Sequence, residues 1–160
     1  MRTSPRSIAL LAIVLTVAAC SSRPTVNVPT PTSPEAAVQQ FMAAVETRDM
    51  PVMGHLWGSA ERGPASGWMK PEELERRLAV MGVYLQNDEH EVLPLAYEPL
   101  PTVSQRIVRV RITRSGCQYT VPFTLVPHGD GWLINSIDIA SAGNPARTCE
   151  AVPGGGPGGL

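Results

Sequence analysis

The feature that most limits the fold is a change of period near residue 88. Before it, apolar residues recur every three or four positions. Val38, Phe41, Met42 and Val45 form one such set, and Leu74, Leu78, Met81 and Leu85 another. That spacing places each set on one face of a helix. After residue 88 the period is two. Residues 106–114 set Val108, Val110 and Ile112 on one face against Ile107, Arg109, Arg111 and Thr113 on the other. Cys117, Tyr119, Val121, Phe123 and Leu125 alternate with polar neighbours in the same way. Helices followed by a meander of antiparallel strands predict an α+β domain, with helices covering one face of a sheet.

Local signals set the boundaries. Ser33-Pro34-Glu35 opens the first helix with a capping hydroxyl, a proline at the first helical position and an acid at the positive dipole end. Asp49-Met50-Pro51 restarts the chain into a short helix carrying Met53, His55, Leu56 and Trp57, with Asp49 as its cap. Residues 58–69 are rich in Gly and Ser and read as a loop, pinned to the core by Trp68. Pro71-Glu72-Glu73 opens the strongest helix, whose outer face carries Glu72, Glu73, Arg76 and Arg77. Strands are expected over 92–97, bent at Pro94, then 106–114, 117–126 and 132–139, the last with Leu133, Ile137 and Ile139 inward. Pro122 has no N–H to give a ladder and calls for a bulge or an edge.

The N-terminal end has a different character. Arg2 and Arg6 precede an apolar run from Ile8 to Ala19 that stops at Cys20. Positive charge, a short apolar core and small residues make a signal-peptide pattern. The run is too short for the ~20 residues of a spanning helix. Val17-Ala18-Ala19-Cys20 resembles the lipobox of bacterial lipoproteins. The resemblance implies acylation of Cys20 and cleavage before it, so that membrane attachment is through lipid. Ser21 is not the Asp that retains such proteins at the inner membrane, which points to the outer membrane, periplasmic face, in a Gram-negative host. The expected organisation is a signal peptide at 1–19, a lipidated Cys and flexible tether at 20–33, an α+β domain at 34–149 and a disordered Gly/Pro-rich tail at 150–160.

Loss of Arg2 and Arg6 leaves eleven basic side chains against fourteen acidic ones, a net of about −3. That balance argues against a nucleic-acid footprint. Cys117 and Cys149 remain, an even pair in an exported chain, and a disulfide is expected between them. It would close a loop of about 32 residues and contribute ~3–4 kcal/mol in the chain-entropy view.

The folded part resembles the nuclear transport factor 2-like superfamily, in particular its small bacterial lipoprotein members. The likeness lies in Ser33-Pro34-Glu35-Ala36-Ala37-Val38-Gln39-Gln40-Phe41, in Ala43-Ala44-Val45-Glu46-Thr47-Arg48-Asp49, and in the closing Gly131-Trp132-Leu133-Ile134-Asn135-Ser136-Ile137. It covers about residues 33–140. It implies a curved sheet wrapped on helices in a cone, often around a pocket. Members include enzymes and plain binding modules, and dimers are frequent, so a homodimer enters as an expectation. Fold alone selects no function.

Proton-transfer chemistry in such a cone needs polar groups converging in an apolar pocket. The candidates are His55 as base, with Tyr84 or an acid as partner. Trp57, Arg109 and Arg111 are candidate binding residues. Asp88-Glu89-His90-Glu91 is rich in metal-ligand types, but neighbours along a strand point to opposite faces. His128 and Asp130 read as turn residues. No phosphate loop, nucleophile elbow or paired-His metal motif is present in the sequence, and no cofactor is expected. The preferred expectation is a non-catalytic module that binds an envelope protein or a small hydrophobic ligand. An isomerase- or hydrolase-type enzyme and a structural tether in an envelope assembly are the alternatives.

Overall fold

A computed structural model describes residues 28–94 and 104–147. Three α-helices, α1 (Pro34–Thr47), α2 (Met50–Leu56) and α3 (Pro71–Leu85), precede most of the strands. Two short strands, β1 (Gly58–Ser59) and β2 (Gly63–Pro64), pair between α2 and α3. The main sheet is antiparallel in the order β3 (Glu89–Val92), β4 (Arg106–Arg114), β5 (Cys117–His128) and β6 (Gly131–Ile137). A 3₁₀ turn, Ile139–Ala142, follows it. The α+β expectation therefore holds at the level of helices on an antiparallel sheet.

The helix starts follow their capping chemistry. Ser33 Oγ accepts the Ala36 N–H at 3.1 Å, and Asp49 Oδ1 accepts the Val52 N–H at 3.1 Å. Arg48 ends α1 at φ 56°, letting the chain reverse within two residues into α2. Gly54 lets α2 approach α3, since a Cβ there would lie 3.1 Å from Leu74 Cδ2.

The space between the helices and the sheet is filled. Phe41 of α1 meets Phe123 of β5 edge-on, with ring centroids 6.3 Å apart. Met42, Met53, Leu56, Leu78 and Leu85 complete the helical side, and Val108, Val110, Ile112, Val121 and Leu125 the sheet side. Burial of each such side chain contributes ~1.5–3 kcal/mol. Among the described residues no polar or charged residue is buried as a whole.

Several sequence expectations shift. The first long strand is Glu89–Val92, not 92–97; positions 95–97 lie outside the described residues. Its ladder pairs Glu89 with Thr113 and Val92 with Val110, and Leu93 N–H still reaches Arg109 O at 2.9 Å just before Pro94, which has no N–H to give. The 58–69 segment carries the β1–β2 ladder. Trp68 closes that segment on itself, its Nε1–H donating to Gly63 O at 3.2 Å while Arg62 stacks on its ring.

The last strand changes phase. Leu125 pairs with Ile134 and Thr124 with Ser136, so Asn135 is an extra residue in β6. Ile134 and Ile137 therefore face the helices, opposite Leu125 and Phe123, and Leu133 pairs with Val126 on the other face. Ile139 belongs to the 3₁₀ turn. Pro122 O accepts the Asp138 N–H at 3.0 Å, just past the end of β6. In an extended residue N and O point the same way, so the missing Pro122 N–H faces a side with no ladder to complete. Pro122 sits at a local edge.

Candidate functional site

Concave surfaces on the described part of the domain include the following three. One, about 540 Å³, runs along α3 and is lined by Trp57, Glu73, Arg76, Arg77, Val80, Met81 and Ile139. A second, about 330 Å³, lies on the other flank of α3, between its Ala79, Gly82 and Val83 and the α1–α2 corner around Arg48, Met50 and Met53. Asn87 also lines it; its Nδ2 donates to Leu85 O, and its Oδ1 is buried without a hydrogen-bond partner.

Between these grooves the outer side of α3 carries Val80, 51 % exposed, and Val83, 53 % exposed, the large apolar side chains most open to solvent among the described residues. They are three positions apart and so share one helix face. The sequence held a signal for this. Residues 79–85, Ala-Val-Met-Gly-Val-Tyr-Leu, contain no charge, so α3 is apolar all round in its second half. Its first half is amphipathic, and reading the whole helix by its inner stripe hid the difference.

The third cavity, about 460 Å³, is lined by His55, Pro64, His128, Asp130 and Trp132 and is bounded by residues 30–32. His128 Nδ1 lies 3.1 Å from Ala60 O, which ties the β5–β6 turn to the β1–β2 turn. His128 thus has a long-range structural role that the turn reading missed.

The sequence candidates disperse. His55 lines this third cavity, while Tyr84 is half-buried against the core and does not line it. No hydrogen bond joins the two among the described residues. Trp57 lines the α3 groove, and its backbone pairs with Ile134. Arg109 and Arg111 lie on the sheet face turned away from the helices, with Arg111 Nη1 donating to Glu91 Oε2 at 2.6 Å. In the acidic run, Asp88 accepts the Ser115 N–H, His90 pairs with Glu46 at 2.9 Å and Glu91 holds Arg111. Each points to its own partner, and no three His, Cys, Asp or Glu side chains gather round one point among the described residues.

Arg114 is the residue that sequence reasoning overlooked. Its Nη1 donates to Tyr84 O at 2.9 Å and its Nη2 to Ala142 O at 2.6 Å, while its guanidinium stacks on Tyr119. It satisfies carbonyls at the end of α3 and ties the 3₁₀ turn to the β4–β5 hairpin. Cys117 opens β5 opposite Arg114 and is buried. Cys149 and Cys20 lie outside the described residues, as do the signal peptide and the glycine-rich tail.

No family model, curated protein or solved structure matches this chain.

Proposed function

We propose that the chain is a lipid-anchored envelope protein whose domain is a non-catalytic binding module, engaging a small hydrophobic ligand or an envelope protein along the outer side of α3. The observation that carries the binding reading is the pair of exposed valines flanked by two grooves. Apolar surface left open beside concave walls is the usual mark of an interaction site. The space against the sheet, by contrast, is packed with apolar side chains. Tyr84 does not line the cavity that His55 lines, so the described geometry offers the His/Tyr enzyme alternative less support.

The anchor reading rests on the apolar run ending at Cys20, with Ser21 favouring the periplasmic face of the outer membrane in a Gram-negative cell. Membership of the nuclear transport factor 2-like superfamily is part of the same reading. The order of helices before a four-stranded antiparallel meander supports it.

A Cys117–Cys149 bridge completes the proposal. Arg114 on Ala142 O, and Gly143 set against the Tyr119 ring, return the chain after β6 to the end of the sheet where Cys117 sits.

A photo-crosslinking amino acid at Val83, carried by the full chain in its native envelope, tests the binding surface. The expected result is one discrete lipid or protein adduct that the same group at exposed Gln118 does not form. Equal labelling from both positions would contradict it.

A further inference from the structure

The stretch before α1 is held on the domain. Pro31 is buried, and its carbonyl accepts the Trp132 N–H at 3.1 Å. Val28 packs against the core. Gly131 makes room for the strap, since a Cβ there would lie 2.2 Å from Thr30 Cγ2 and 2.8 Å from Pro31 O. The contacts of Thr30 and Pro31 with Gly131 and Trp132 sit at the start of β6, beside the β5–β6 turn.

From this docking, and resting on the anchor reading above, we propose that the β5–β6 end of the domain faces the membrane and that its lipid partner is the phospholipid headgroup surface. With the strap docked, only the segment from Cys20 to Val28 is left between lipid and fold. Eight residues span at most about 29 Å fully stretched. The twelve residues of β5 separate this end from the Ser115–Gly116 turn by about 36 Å. An inverted domain would have to hold the strap about that far above the bilayer, against the entropy of a taut chain. The near end is therefore the end that carries the strap.

The residues at that end suit headgroups. Arg62 stacks on Trp68 with its guanidinium carbon 3.7 Å from the ring centre, and Arg106 lies over Trp132 at 5.9 Å. Arginine binds phosphate oxygens in a planar fork, and tryptophan settles at the bilayer interface. Exposed Glu61 and Asp130 stand beside them, which tempers attraction to an anionic surface and favours a mixed or zwitterionic one.

The test uses the full lipidated chain on phosphatidylethanolamine/phosphatidylglycerol vesicles that contain a nitroxide-headgroup lipid. A fluorescent amino acid is placed at Asp130 or, at the far end of β5, at Gln118. Quenching is expected to be about twofold or more stronger at position 130, given the ~36 Å between the ends. Gly131→Val, which expels the strap, should shrink that contrast while the circular dichroism spectrum stays folded. Equal quenching at the two positions on vesicle-bound wild-type chain, or stronger quenching at 118, overturns the orientation alone. A chain that does not bind vesicles at all overturns the anchor reading and the orientation with it.

Discussion

The two sides of α3 make opposite use of the same kind of residue. On the inner side Leu78 and Leu85 are fully enclosed in the hydrophobic core. On the outer side Val80 and Val83 are more than half exposed between two grooves. The inner row is there for stability and has no room to vary. The outer row leaves its apolar area uncovered, and the proposed binding surface is built on it. Stability and recognition should therefore separate when the two rows are altered.

Leu78→Ala should give the largest loss, ~2–5 kcal/mol in urea unfolding, because a cavity would open where α3 meets the core. Arg114→Ala comes next at ~1.5–3 kcal/mol, since it leaves part-buried carbonyls at the end of α3 without their charged donor. A loss no larger than that of an ordinary surface change would remove the end of α3 from the rigid side of the comparison. Ser33→Ala should cost ~1 kcal/mol through the lost cap of α1, a helix that packs on both α3 and the sheet. The smallest change in stability is expected for Val80→Lys with Val83→Lys, within ~0.5 kcal/mol. The same double variant should abolish adduct formation by a crosslinker at nearby Gly82. Unfolding of the double variant, or unimpaired crosslinking, would erase the distinction between the two faces. The cysteine pair is read separately: a non-reducing peptide map should show the Cys117 and Cys149 peptides joined, with both thiols lost.

Much of the fold was legible because its signals are local. The Ser33 and Asp49 caps, the leucine stripe of α3, and the alternation across 106–114 each fix an element by residues close in sequence. The turn at Ser115–Gly116, with φ 51° and 79°, follows from the same local chemistry. The parts that escaped depend on partners far along the chain. Asn135 becomes a bulge only because Gly58 O, at 3.0 Å, takes its side-chain N–H and β5 pairs past it. His128 looks like a turn residue until Ala60 is brought to it from sixty-eight positions away. Arg114 reads as one more alternating strand residue until the ends of α3 and the 3₁₀ turn come within its reach. The candidate site was half legible. Trp57 was picked out for its type and lines the α3 groove. Val80 and Val83 were absorbed into a helical pattern, although the uncharged run over 79–85 marked them. Residues 28–33 read as spacer on composition, and their contact with Gly131 and Trp132 is a matter of shape, which composition does not carry.

The claim on which the account stands is that Cys20 carries the lipid that holds this domain at a membrane. Labelling of expressing cells with radioactive palmitate measures it most directly. A labelled band at the size of the mature chain that moves with the envelope fraction is expected, with loss of both label and envelope association in Cys20→Ser. An unlabelled wild-type chain, processed and located identically to Cys20→Ser, would contradict it.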